Sequence, residues 1–223
     1  MRGRKSPLVR PPRTAEAGRI ATLASAGRGG RRVEVTLESG ASWIVDVNIA
    51  FDARVAPGTD LDLAAAQSML DADDLVAAKG VATRQLSHRP RSVAELRQTL
   101  GQRGFGPHII DQVIARFAEL GYLDDADFAR RWIANREQLA PRGTRLLKQE
   151  LRQKGIDAEL TEEAIAGAGL DDLDSAMRIG EHRLAKLTGL DLETQRRRLA
   201  AYLERRGFSY DVVRQVDREL FPR

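Results

Sequence analysis

The chain has 223 residues, 42% apolar, 30% charged and only 5% aromatic, long enough to bury a real core but better suited to thin helical layers than to a deep one. It has no cysteine, which excludes disulfide staples, thiolate metal sites and cysteine nucleophiles. The net charge of +4 is unevenly spread: residues 1–32 carry +8, residues 33–91 carry −4, and residues 92–223 hold 22 charges of each sign. A uniformly basic surface is therefore not what the number describes.

Residues 1–17 combine Pro, Arg and small residues without an apolar period, and are expected to form a disordered basic tail. From Gly18 the pattern alternates, in RIATLAS, RRVEVTLES and ASWIVDVNI, and predicts three short strands joined by Gly-rich turns in an antiparallel meander. Leu61 to Leu70 has helical spacing behind a capping Asp60, so residues 18–71 read as a small β-rich domain.

Beyond Asp71 one unit recurs three times. It appears as VAELRQTLGQRGFGPHIIDQVI from Val93, TRLLKQELRQKGIDAELTEEAI from Thr144 and RRRLAAYLERRGFSYDVVRQVD from Arg196. Leu96, Leu147 and Leu199 precede Leu100, Leu151 and Leu203 by four residues, which precede Gly104, Gly155 and Gly207 by four more. That spacing stacks two leucines on one helix face and ends the helix at a left-handed glycine, with Phe105, Ile156 or Phe208 closing the cap. The glycines are 51 and 52 residues apart, too far for two helices, so a third helix is expected before each pair: Asp74–His88, Asp125–Leu139 and Asp172–Leu187, each behind an Asp cluster suited to capping. The fold class is mainly α: three tandem three-helix, helix-turn-helix-like repeats at 72–120, 121–170 and 171–223, in an elongated array behind the β domain.

Signals for chemistry are sparse. His88, His108 and His182 fall on separate segments with no partner at metal-ligand spacing, and GQRGFG from Gly101 joins two helices rather than a strand and a helix. Asp124 and Asp125 read as helix caps rather than paired catalytic carboxylates, and Phe128 and Trp132 as core rather than a base-stacking platform. No catalytic residue, metal or cofactor is expected. Basic residues remain: Arg130, Arg142, Arg145, Lys148 and Arg152 are expected to share one interaction face, with Arg196, Arg197 and Arg205 in the third repeat. Arginine forks suit protein carboxylates as well as phosphates, so charge alone does not choose the partner. No run of about 18 apolar residues or secretory signal is present, and a cytoplasmic, monomeric protein without membrane attachment is expected.

RPRSVAEL from Arg89, GYLDDADFARRW from Gly121, PRG from Pro141 and LRQKGI from Leu151 together resemble the RecX family of bacterial regulatory proteins, modulators of the RecA recombinase. The resemblance covers about residues 72–220; Gly18 to Asp71 is similar, more loosely, to the β-rich N-terminal extension of longer members. It implies a non-enzymatic protein that binds the RecA–single-stranded-DNA filament and inhibits its ATPase and strand exchange, modulating recombination and the DNA-damage (SOS) response. The alternative is a direct binder of single- or double-stranded DNA through the helix-turn-helix-like modules.

Overall fold

The structure is a computed structural model and describes residues 9–27 and 29–222. The alternating segments form strands β1 (Gly18–Ala26), β2 (Arg32–Leu37) and β3 (Ser42–Asp46), an antiparallel meander. A two-residue β4 (Asp60–Leu61) pairs with β1, giving the order β3-β2-β1-β4. Register pairs Val35 with Trp43, and the pleat sends Val35, Leu37, Trp43 and Val45 into one buried face with Ile20. The third strand ends earlier than its apolar pattern suggests. Asp46 accepts from the Asn48 N–H and caps a short helix, α1 (Val47–Asp52).

The next helix departs from expectation. Two helices with a domain boundary near Asp71 were predicted, yet α2 (Leu63–His88) runs unbroken for 26 residues from its cap at Asp62. Ala66, Met69 and Leu70 pack in the β core, while Ala78, Val81 and Ala82 are buried further along. The Asp run that resembled an N-cap lies inside the helix. Asp73 is fully buried there, accepting from Arg32 Nη1 at 2.8 Å and the Asp46 N–H at 2.9 Å.

The basic tail also departs from expectation over residues 9–17; residues 1–8 lie outside the described part. Arg10 and Arg13 reach back to Asp73 at 2.7 and 2.9 Å, and both donate to Asp74. The Trp43 indole N–H donates to the Thr14 carbonyl at 3.0 Å. Composition alone predicted no order because these partners lie 29 to 64 residues away in sequence. Burial would push the Asp73 carboxyl up, but bonds from Arg10, the Asp46 amide and Arg32 outweigh it, and its pKa lies below the ordinary value.

Packing divides the chain into two compact units. One holds the residues up to Arg89 with Leu96–Tyr122; the other holds Pro90–Glu95 with Leu123 onward. In the first, α2 is joined by most of α3 (Val93–Gly101) and by α4 (Pro107–Glu119), burying Leu96, Leu100, Phe105, Ile109 and Val113. The second contains α5 (Asp125–Leu139), α6 (Thr144–Gln153) and α7 (Ala158–Ala168), then α8 (Asp172–Leu184), α9 (Leu192–Arg205) and α10 (Tyr210–Leu220). Its two cores form around Leu147, Leu151 and Ile156, and around Leu199, Leu203 and Phe208. Each leucine so buried contributes roughly 1.5–3 kcal/mol. Gly104, Gly155 and Gly207 all have positive φ, 85°, 75° and 87°, as a left-handed cap requires.

Within the second unit one arrangement occurs twice. The segment Pro90–Glu95, which begins α3, seats on the turn after α6: the Ser92 hydroxyl donates to the Lys154 carbonyl at 2.6 Å, and the Val93 N–H donates to Asp125 at 2.9 Å. The start of α6 seats likewise on the turn after α9. There the Gly143 N–H donates to the Arg206 carbonyl at 2.9 Å, and the Thr144 N–H and hydroxyl donate to Asp172 at 3.0–3.2 Å. Each seating satisfies an orphan N–H of a helix N-terminus. The approach is so close that a Cβ on Gly155 would overlap Ala94, and one on Gly207 would overlap Leu146.

Candidate functional site

The basic face expected of the middle repeat resolves into three places. On α6, Leu147 and Leu151 point into the core, which leaves Arg145, Lys148 and Arg152 on the opposite side. These three line one groove of about 370 Å³, closed by Ile156, Ala158 and Thr161 at the start of α7. Lys148 pairs with Glu162 across it at 2.6 Å, and Arg145 Nη2 reaches the Glu204 carbonyl at 3.4 Å. Arg152 is exposed and has no ion-pair partner among the described residues. The groove can receive a carboxylate or phosphate: among the described residues Lys148 is ion-paired there, whereas Arg145 and Arg152 can bind an anion without breaking an ion pair.

Arg142 and Arg130 do not belong to this face. Arg142 turns inward, its Nε 3.4 Å from Glu150 Oε1, and Glu150 also accepts from Trp132 Nε1 at 2.9 Å and Arg136 Nε at 2.8 Å. Arg130, on α5, lies 3.6 Å from Asp127 and lines a different, larger groove of about 560 Å³ with Ile133, Leu160, Ala164 and Arg178. In the third repeat Arg196 is structural: it pairs with Asp217 at 3.2 Å, donates to the Phe221 carbonyl at 3.0 Å and covers the Phe221 ring. Arg197 and Arg205 are exposed on α9.

The cluster around Glu150 was missed. Phe128 is core as expected, but Trp132 is half-buried, stacked on Phe128 and flanked by Arg136 at 4.4 Å and Lys154 at 5.1 Å from its ring centre. Basic neighbours thus exist, and they are bound: Arg136 to Glu150, and Lys154 to Glu95 at 2.7 Å. The i, i+4 spacing of Trp132 and Arg136 was the available signal.

Asp124 caps the helix that follows it, as the sequence predicted; Asp125 lies inside that helix and caps a different one. Asp124 accepts from the Asp127 N–H at 2.9 Å, capping its own helix, while Asp125 caps α3. Burial raises the Asp125 pKa above the ordinary value against the lowering effect of the Val93 N–H bond, and the Asp124 charge adds to the rise. His108 Nε2 lies 3.1 Å from Asp71. Among the described residues no three His, Asp or Glu are grouped to hold a metal ion, and no helix is long and apolar enough to cross a membrane.

Comparison with known proteins matches this architecture module by module. The first, second and third three-helix domains of RecX match residues 78–117, 124–165 and 171–216. The chain is 37% identical over 139 residues to the "Regulatory protein RecX" of Mycobacterium sp. (strain JLS), covering 60% of this chain and 75% of that protein. It is 34% identical over 149 residues to that of Thermobifida fusca (strain YX), covering 66% and 80%. A crystal structure of regulatory protein RecX superposes with a TM-score of 0.63 at 18% identity, over 91% of this chain and 99% of the other, a likeness of fold. The motifs, the threefold repeat and these matches agree, and the chain belongs to the RecX family of regulatory proteins.

Proposed function

We propose that this protein binds the filament that the RecA recombinase forms on single-stranded DNA and inhibits its ATPase and strand exchange, acting in the cytoplasm on recombination and the DNA-damage response. Membership of a family of regulatory proteins supports this class of partner; the observation that carries the reading is the cationic groove of Arg145, Lys148 and Arg152 on the middle module. Repeated modules add further contact surfaces, so that several weak contacts sum to avidity without one strong site.

The same groove suits a phosphate, which favours direct DNA binding as the second reading. Titrating the protein into the cognate recombinase with single-stranded DNA and ATP, beside a salt series of binding to bare DNA, separates the two. The filament reading expects ATP hydrolysis to fall at protein concentrations where bare DNA stays unbound. Hydrolysis that falls only where bare DNA is already saturated supports the second reading instead.

A further inference from the structure

The seating that recurs in the second unit has a third instance in the first, and its occupant is not a helix. Arg103 occupies the position of Lys154 and Arg206 in the repeat, and Gly104 that of Gly155 and Gly207. The Arg103 carbonyl accepts from the Arg10 N–H at 3.0 Å. A Cβ on Gly104 would stand 2.6 Å from the Arg10 carbonyl oxygen, the same close approach that Ala94 and Leu146 make elsewhere. Asp74 occupies the position of Asp125, thirty residues before its glycine. Where Asp125 and Asp172 accept helix N–H groups, Asp74 accepts the guanidinium groups of Arg10 and Arg13.

We propose that the turn carbonyl of Arg103, Gly104 and the carboxylates of Asp73 and Asp74 form a binding site for an extended segment carrying arginines three residues apart, and that residues 9–13 fill it as the end cap of the module array. Each part of that segment has a partner. Arg10 also lies over the Phe105 ring at 5.7 Å, and Arg13 Nη2 donates to the Leu70 carbonyl at 3.0 Å. Pro11 and Pro12 between the arginines favour an extended backbone and lower the entropy lost on seating. A repeat array needs such a terminus, because an end module otherwise leaves exposed the surface that a neighbour would cover.

The test uses the full-length chain with Arg10→Glu and Arg13→Glu, which unseats the segment, and a fluorescently labelled peptide of residues 9–17. The peptide should bind the folded variant saturably and at least tenfold more tightly than it binds the unaltered protein, whose site is filled, and it should raise the variant's Tm. A peptide carrying the same two reversals should not bind. A folded variant that takes up the peptide no better than the unaltered protein overturns the proposal. Amide hydrogen exchange on the unaltered chain decides independently of any variant's folding. The Arg10 amide should exchange within about tenfold of the Gly143 amide, its counterpart in the repeat, and exchange of Arg10 at the rate of an unstructured peptide overturns it.

Discussion

Two regions solve one problem by different chemistry. In the second unit, the aspartate of each seating accepts uncharged backbone N–H groups from a helix start: Val93 to Asp125, and Thr144 to Asp172. In the first unit the acceptors face guanidinium groups, from Arg10 and Arg13 to Asp73 and Asp74 and from Arg32 to Asp73. The turn geometry is held constant, with a positive-φ glycine after a carbonyl that accepts one bond. A helix start brings several orphan donors and a dipole with it, whereas the extended segment has no dipole, brings the Arg10 N–H to the turn carbonyl and meets the aspartates with full charges.

The comparison breaks most visibly at Asp73. Asp73→Ala removes the carboxylate shared by three arginines and the Asp46 N–H; losing one side of a buried charge cluster should destabilise the first unit by about 3 kcal/mol. Urea unfolding of the variant checks this. Gly155→Ala tests the constant part of the seating. A side chain at φ 75° is strained, and its Cβ overlaps Ala94, so a loss of about 2 kcal/mol is expected in the second unit, read by the same unfolding.

A smaller effect sharpens the contrast through pH. The Asp73 pKa is lowered on folding, so its stabilisation is present above the ordinary aspartate value, about 3.9, and is lost as pH falls through the folded value. The Asp125 pKa is raised, so its contribution is present below about 3.9 and is lost as pH rises through the folded value. Around Asp73, Arg10, the Asp46 amide and Arg32 outweigh burial and lower the pKa; around Asp125, burial and the Asp124 charge outweigh the Val93 amide and raise it. Carboxylate NMR titration should place the two apparent pKa values on opposite sides of the ordinary value, and Asp125→Asn should abolish the second trend with little loss of stability at neutral pH.

What was legible in the sequence was what local geometry dictates. Leu147, Leu151 and Gly155 announce a helix face and its end because i, i+4 stacking and positive φ restrict the residue types. Asp124 announces a cap for the same reason, being bonded to a backbone three residues away. Asp73 was misread because an Asp run looks alike at a helix start and inside a helix whose charge is met from elsewhere. The seated segment was illegible for the complementary reason, since Arg10 and Arg13 derive their order from those same aspartates. Arg142 and Arg130 were grouped with the groove because charge spacing along the chain does not reveal that Glu150 engages Arg142, or that Arg130 borders a second groove.

The groove itself is the most direct place to test the functional account. Lys148→Glu with Arg152→Glu changes two residues outside the seatings and the cores, and thermal unfolding should remain close to that of the unaltered protein. In the DNA-dependent ATPase assay of the cognate recombinase, the unaltered protein should inhibit hydrolysis, and the double variant should need at least tenfold more protein for the same inhibition. Equal inhibition by both proteins would contradict the assignment of this face, and no inhibition by the unaltered protein would contradict the function.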